Sequence, residues 1–236
     1  MSLALRLSAI RARIDEAARR SGREVSDIAL VAVSKFHPAS VIEEAYAAGQ
    51  RHFGENRVQE VEEKKQKLAH LVECSDPLRF ELIGALQSNK ARKAVAAVSR
   101  IQSIDSVDLG RRVARVAQEI GVTMPVLIQV DLAGEATKSG LPEADLLAGL
   151  DALCAMEGIE VEGLMAIPPF LEDPENVRPY FSKLRELRDQ AQTRGLLPRG
   201  HLSMGMSHDF EVAIEEGATI VRVGTAIFGE RPARTA

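Results

Sequence analysis

The chain has 236 residues, 45% of them hydrophobic and 27% charged, enough apolar sequence to bury a core without disulfides or metals. A net charge of −4 and a pI near 5.8 argue against general nucleic-acid binding, because such proteins usually carry a basic excess. No run of 18 apolar residues occurs and the two cysteines form no CxxC pair, so we expect a cytoplasmic protein without a membrane span.

The first predicted element is an amphipathic helix that precedes every strand. Leu3, Leu7, Ile10 and Ile14 recur at helical spacing, and the pattern ends near Ser21-Gly22. We expect this helix to cover part of the remaining fold with its apolar face.

Short, nearly continuous apolar runs then alternate with helical stretches. Such runs are typical of strands buried on both faces of a parallel sheet. The predicted strands are 28–33, 52–54, 80–84, 101–104, 126–130, 159–165, 201–204 and 219–223. About eight strands with helices between them favour an α/β fold, a closed (β/α)8 barrel spanning residues 1–236 as one domain. The alternative is an open doubly wound sheet, which usually needs about five or six strands.

Three of the intervening helices carry sequence signals at their ends. Ser40 and Glu43 have the spacing of a capping box for a helix leading to Gly49. Two further apolar stripes are closed by Gly121 and Gly195, residues suited to helix ends.

Lys35 is the sharpest single candidate for a functional residue. In a parallel barrel, functional groups gather where strands end, and Lys35 is the only one of eight lysines that directly continues a long apolar strand. Removing its amine from water would lower its pKa, and a free amine on a rigid strand end is what Schiff-base chemistry requires. The alternative is a lysine that simply extends into solvent.

Arg222 is the second candidate, because it lies within the last apolar strand. Strand alternation places Ile220, Arg222 and Gly224 on one face. A buried guanidinium is costly unless it is paired. Either a ligand or a carboxylate such as Asp131 or Glu55 would satisfy it.

Small residues after the last two strands form a pattern typical of phosphate binding. The segment Ser203–Ser207 precedes a helix that begins near His208, and Gly224-Thr225 follows the final strand. Glycines and helix N-termini let backbone N–H groups approach an anion, and barrels often bind phosphate at these two loops. The alternative is ordinary turn chemistry. A charge run over residues 60–67 is interpreted as a solvated helix face, and no metal-ligand spacing is present.

Seven segments, in order along nearly the whole chain, carry a family resemblance. They are Val31–Lys35, Phe53–Asn56, Ile83–Lys90, Lys138–Gly140, Gly163–Pro168, Leu202–Ser207 and Val221–Gly229. Together they resemble the pyridoxal phosphate homeostasis protein family. Two positions depart from its pattern, since Glu81 stands in place of a histidine and Phe36-His37 replaces a small polar residue. We expect both to alter the outer wall of the site.

The resemblance implies a single barrel related to the N-terminal domain of alanine racemase, in which Lys35 carries pyridoxal 5′-phosphate (PLP) as an internal aldimine. It further implies that Arg222 faces the pyridine nitrogen of the cofactor. A protonated arginine there keeps the nitrogen neutral, so the cofactor is a weaker electron sink.

The resemblance also implies the rest of the cofactor site. Backbone groups at Gly224 and Thr225, with Ser203, would hold the phosphate. Asn56 and Met165 would lie near the ring. No metal ligand and no catalytic residue is implied.

Three functional hypotheses follow. In the first, the protein binds PLP and buffers or delivers it inside the cell without turning over a substrate, because Tyr46 and Tyr180 fall within helices and cannot supply a racemase's second base. In the second, it is a PLP-dependent racemase or related enzyme with His37, Asp131 or His208 as the base. In the third, the strand-end lysine serves a cofactor-free aldolase.

The partners expected from the first hypothesis are PLP itself and apo forms of PLP-dependent enzymes that receive it. Neither nucleic acid nor a membrane is expected as a partner. We expect a monomer, because no exposed apolar seam is visible in the sequence.

Overall fold

The computed structural model describes residues 1–133 and 139–230, and within them eight parallel strands close into a barrel. With one short additional strand, β6, the described strands are β1 (Ala29–Val33), β2 (His52–Glu55), β3 (Arg79–Leu82), β4 (Arg100–Ile104), β5 (Met124–Asp131), β6 (Leu141–Pro142), β7 (Ile159–Met165), β8 (His201–Ser203) and β9 (Ile220–Val223). The order around the barrel is β1-β2-β3-β4-β5-β7-β8-β9, with β9 paired back to β1. The short β6 pairs only with the end of β5.

Helices follow most of the strands, as a (β/α)8 barrel requires. Over the described residues they are α1 (Leu3–Arg20), α2 (Ala39–Ala47), α3 (Val58–Lys67), α4 (Ala69–Val72), α5 (Ala91–Ala97), α6 (Val107–Ile120), α7 (Leu146–Cys154), α8 (Arg178–Thr193), α9 (Phe210–Glu215) and α10 (Thr225–Phe228). Short 3-10 turns lie at Val25–Asp27, Ser88–Lys90, Glu143–Asp145 and Pro174–Val177. None of the described helices is long and apolar enough to cross a lipid bilayer.

The predicted barrel is confirmed, and the open-sheet alternative is wrong. Each of the eight predicted strands overlaps an observed one, with ends displaced by no more than about two residues, the usual uncertainty of such boundaries. Closure follows from the pairing of β4 with β5, which leaves no free edge in the eight-stranded ring.

The predicted N-terminal helix is confirmed as α1. Its four predicted apolar residues are buried, and the helix packs against α2, α9 and α10. Ser2 caps its start by accepting a hydrogen bond from the backbone N–H of Leu5 at 3.3 Å. The apolar stripe therefore does cover part of the barrel's outer layer.

The predicted capping box at Ser40 is wrong. The helix α2 begins one residue earlier, at Ala39, and its N-cap is Pro38, which provides no side-chain cap hydrogen bond. Ser40 therefore lies within the first turn. The two glycine ends are confirmed: Gly121 adopts a left-handed conformation after α6, and Gly195 does so just beyond α8.

The inside of the barrel is divided between a small apolar cluster and a polar network. Val31, Leu127, Met165 and Ile220 form the apolar cluster, separate from the large core between strands and helices. The expectation that Glu81 alters the outer wall of the site is wrong, because its side chain is only 1% exposed. Strand alternation turns Glu81 inward, where it meets the partly buried side chains of Arg100 and His52.

Arg100 and two carboxylates form the centre of the polar network. Arg100 Nη1 lies 3.1 Å from Glu81 Oε2, and its Nε donates to Glu162 Oε2 at 2.7 Å. Glu162 lies at a bulge: Val126 pairs with Val161, and the next residue of β5 pairs with Gly163, so the intervening glutamate has no register partner.

Candidate functional site

A cavity of about 580 Å³ opens where the barrel strands end. This is the end at which (β/α)8 barrels place their functional groups, and the volume suits a small organic ligand. Five of the seven predicted site residues line it, namely Lys35, Asn56, Arg222, Gly224 and Thr225.

Two predicted site residues, Met165 and Ser203, do not line the cavity. Both are fully buried, and they pair in register at the ends of β7 and β8. Met165 belongs to the apolar cluster inside the barrel. The Ser203 hydroxyl donates to Gln102 Oε1 at 2.6 Å, so its one hydrogen is already engaged within the protein.

Ser207 is a further candidate for the site that is not among the residues predicted from the sequence. It lines the cavity in the loop before α9, four positions beyond the serine chosen. Its Oγ accepts a hydrogen bond from the backbone N–H of Gly224 at 3.2 Å and lies 3.2 Å from Thr225 Oγ1. The two predicted phosphate loops therefore meet, but through Ser207 rather than Ser203.

A side chain of the helix α3 holds the loop that carries Lys35. Phe36, the next residue, has a φ of 68°, a left-handed conformation that costs a non-glycine residue about 1–3 kcal/mol. The backbone N–H of Phe36 donates to Glu60 Oε2 at 3.1 Å, which offsets part of this cost. The sharp turn places the half-buried Lys35 at the cavity wall.

A buried ion pair holds the other side of the same loop. Lys64 Nζ donates to Glu55 Oε1 at 2.6 Å and to the backbone oxygen of Ser34 at 2.9 Å. The Ser34 hydroxyl donates to the same Glu55 oxygen at 2.7 Å. The interpretation of residues 60–67 as a solvated face is therefore wrong at Lys64, because one side of α3 faces the end of β2.

Removing the charge of Lys64 is expected to destabilise the fold strongly. Lys64→Met leaves the fully buried Glu55 without its cation, a change that usually costs about 3–5 kcal/mol. Burial already raises the pKa of Glu55, and Lys64 opposes that rise. The loss should therefore be larger at pH 8 than at pH 5.

Urea unfolding at these two pH values measures this difference. Lys67→Met is the matched control, since Lys67 is an exposed residue of the same helix, and it should change stability by less than about 0.5 kcal/mol. Equal losses in the two variants would show that the buried pair does not fix the loop.

Close backbone approach positions Asn56. A Cβ added at Gly84 would lie 2.4 Å from the Asn56 backbone oxygen, so only glycine fits between these two cavity-lining loops. The loop after β3 therefore presses directly against the loop after β2.

Arg222 projects into the cavity from inside the barrel and is 3% exposed. Its Nη1 donates to Ser203 Oγ at 2.6 Å and its Nη2 donates to the Ala166 backbone oxygen at 2.9 Å. Burial lowers the pKa of Arg222 to about 10, against the opposing charge of Asp209, so the guanidinium stays protonated at neutral pH. The alternative partner Glu55 is instead paired with Lys64.

Three residues considered as possible bases also line the cavity: His37, Asp131 and His208. Burial, followed by the charge of Lys64, lowers the pKa of His37, so its ring is neutral at pH 7. His208 Nε2 lies 2.9 Å from the Glu172 backbone oxygen.

Exposed apolar side chains surround the cavity mouth. They are Phe170, which is 74% exposed and whose ring centroid lies 5.1 Å from that of His208, and Ile167. Lys138, in one of the motif segments, lies outside the described residues.

Comparisons with known proteins agree with this geometry. A family model for the alanine racemase N-terminal domain matches residues 5–232. A pyridoxal phosphate homeostasis protein of Aquifex aeolicus is 45% identical over 231 residues, which cover 98% of this chain and 99% of that protein. A pyridoxal phosphate homeostasis protein of Pseudomonas aeruginosa is 40% identical over 230 residues, which cover 98% of this chain and 96% of that protein.

Solved structures show the same fold. PipY of Synechococcus elongatus with PLP bound superposes with a TM-score of 0.83 at 42% identity, covering 97% of this chain and all of that one. An alanine racemase of Clostridium difficile superposes with a TM-score of 0.74 at 16% identity, covering 98% of this chain and 57% of that one. The second likeness concerns the fold alone.

Proposed function

Because this chain belongs to the pyridoxal phosphate homeostasis protein family, we propose that it binds PLP as a single barrel domain, through Lys35, and buffers or delivers the cofactor inside the cell. When bound, PLP would supply an aldehyde that reacts reversibly with an amine, and Lys35 would provide that amine. The placement of Lys35 and Arg222 in one cavity of about 580 Å³ is the observation that carries the proposal.

The residues of the cavity fit the three chemical groups of this cofactor. Lys35 offers an amine for the aldehyde, and the buried cation Arg222 offers a donor to the ring nitrogen. Ser207, Thr225 and the backbone at Gly224 bring hydroxyl and N–H groups together for the phosphate. Asn56, whose backbone packs against Gly84, would lie near the ring.

Titration of the cofactor-free protein with PLP tests the binding. We expect a visible absorption band that saturates at one cofactor per chain and is bleached by borohydride. A protein that stays colourless at saturating PLP would overturn the proposal.

We also propose that the protein binds the cofactor without converting a substrate. The protonated Arg222 disfavours a proton on the ring nitrogen and so weakens the electron sink that carbanion chemistry needs. Neither tyrosine lines the cavity: Tyr46 Oη donates to the Asp76 backbone oxygen at 2.8 Å on the outer layer, and Tyr180 lies in α8.

Reversing the charge at Arg222 should raise the reactivity of the bound cofactor. In Arg222→Glu, a carboxylate favours the protonated ring nitrogen, and exchange of the α-proton of added amino acids in D2O should rise at least about tenfold, ~1.4 kcal/mol in the barrier. Arg222→Gln, in which the side chain is neutral and of similar size, is the control. The rate of α-proton exchange should rise less in this variant than in Arg222→Glu. A folded Arg222→Glu protein with unchanged spectrum and exchange would remove this role of Arg222.

A second candidate function is a PLP-dependent racemase or related enzyme of the same fold. The observation that favours it is the presence of His37, Asp131 and His208 in the cavity wall, with His37 neutral and able to accept a proton. A screen of amino acids for α-proton exchange by the wild-type protein separates the candidates. Rapid exchange with one amino acid would establish the enzyme, and its absence throughout supports the carrier.

Delivery to apo-enzymes is the remaining part of the proposal, with the protein acting as a monomer. The exposed apolar residues Ile167 and Phe170 in the cavity wall would contact a recipient enzyme. The PLP-loaded protein should restore the activity of a PLP-dependent apo-enzyme. The rate of this restoration should exceed the rate at which the loaded protein releases PLP into solution. Equal rates would mean that delivery occurs through free PLP alone.

A further inference from the structure

A chain of hydrogen bonds runs through the barrel interior from Arg222 to Glu81. Arg222 Nη1 donates to Ser203 Oγ at 2.6 Å, and the Ser203 hydroxyl donates to Gln102 Oε1 at 2.6 Å. Gln102 Nε2 then donates to Glu81 Oε2 at 2.7 Å. All four side chains are buried, so water does not compete for these bonds.

The two ends of the chain fix the direction of every bond in it. A guanidinium can only donate, and an ionised carboxylate can only accept, whereas a hydroxyl and an amide can do either. Because Glu81 takes the Gln102 amide N–H, the amide oxygen must turn to Ser203. The serine hydrogen then points to that oxygen, and its lone pairs face Arg222.

Glu81 is kept ionised by the groups around it. Burial raises its pKa, but the hydrogen bond with His52, the charge of Arg100 and the bond from Gln102 outweigh burial and lower the pKa to about 2. Arg100 is shared with a second buried carboxylate, that of Glu162, which also lies 3.6 Å from Arg199.

We propose that Glu81, acting through Gln102 and Ser203, is a positioning residue that holds the Arg222 guanidinium in one orientation at the cavity. The role toward the ring nitrogen rests on the proposed function. The Ala166 backbone oxygen fixes the other nitrogen of the group, so the planar guanidinium is held at two points and cannot rotate freely. A rigid donor loses less entropy when a ligand acceptor meets it.

The test interrupts the path of hydrogen bonds at Gln102, between Ser203 and Glu81. Gln102→Leu removes both amide bonds at similar volume, and Gln50→Leu is the matched control. Gln50 is also buried, and its Nε2 donates to the backbone oxygens of Leu30 and His52 at 2.7 and 2.8 Å. Gln50→Leu loses these two bonds and a longer one accepted from Arg11 at 3.4 Å, and Gln102→Leu loses two bonds, but only Gln102→Leu interrupts the path to Arg222.

The first readout is the side-chain nitrogen and proton NMR signals of Arg222 in the cofactor-free protein, assigned by their loss in Arg222→Lys. Wild type and Gln50→Leu should show separate signals for the two terminal nitrogens, because rotation is blocked. In Gln102→Leu the signals should merge, and exchange of their protons with water should accelerate about tenfold or more. Separate signals with unchanged exchange in Gln102→Leu would overturn the proposal.

A second variant and a second readout keep the outcomes distinct. Ser203→Ala removes one oxygen from a fully buried position and should merge the same signals, so it replaces Gln102→Leu if that protein does not fold. In titrations with PLP, the Kd should rise about tenfold in Gln102→Leu and in Ser203→Ala and stay unchanged in Gln50→Leu. If wild type takes up no PLP, the proposed function fails, while the NMR comparison still decides the positioning role.

Discussion

The Lys35→Ala variant is expected to lose the visible absorption band of the bound cofactor and to bind PLP at least about a hundredfold more weakly than wild type, ~3 kcal/mol. Lys35 is the one lysine among those described that lines the cavity, so no other described amine is placed to form the covalent bond. The groups proposed to hold the phosphate, at Ser207 and Thr225, are unchanged in this variant, so weak noncovalent binding should persist.

The control for this variant is Lys93→Ala. Lys93 lies on α5 and pairs with Glu62 at 3.0 Å at an exposed position, so its removal should leave both the band and the affinity unchanged. Isothermal titration and absorption spectra, recorded on the same preparations, give the two quantities. A band of wild-type intensity in Lys35→Ala would contradict the assignment of the covalent site.

Arg100→Met should produce the largest loss of stability in the barrel interior, about 3–5 kcal/mol at pH 7. Arg100 is the cation between Glu81 and Glu162, whose side chains are almost completely buried. Without it, Glu81 and Glu162 each lose a hydrogen-bonded cation in a region of low dielectric constant, and Arg199 remains 3.6 Å from Glu162. Chemical denaturation at pH 7 measures the loss.

The stability loss in Arg100→Met should depend on pH in a defined direction. In wild type, the folded-state pKa of Glu81 is about 2, below its unfolded value near 4.5, so its contribution to stability is present above about pH 4.5 and is lost as pH falls toward 2. In Arg100→Met, burial raises that pKa, so the deficit relative to wild type should shrink between pH 7 and pH 4. A deficit that is constant over this range would indicate lost packing rather than uncompensated charge.

The strands and the two central site residues were predictable from the sequence because their signals are local. Apolar runs buried on both faces identify parallel strands without knowledge of their neighbours. Lys35 and Arg222 are exceptional within such runs, and both line the cavity. The choice of Ser203 over Ser207 was not decidable locally, since the last residue of a strand can point into the barrel or to its mouth.

The polar interior was not predictable, because its partners come from distant strands. Glu81 meets Arg100 from β4 and His52 from β2, and nothing in the sequence around residue 81 shows these contacts. The prediction for Lys64 is wrong for the same reason: a lysine in a charged helical run is usually solvated, and only the packing of α3 against β2 buries it with Glu55.

Borohydride reduction of the PLP-loaded protein, followed by proteolysis and mass spectrometry, tests most directly whether the amine at the barrel mouth holds the cofactor. The expected result is one reduced cofactor per chain, on the peptide that contains Lys35. Modification spread over exposed lysines, or none at Lys35, would contradict the placement of PLP in this cavity.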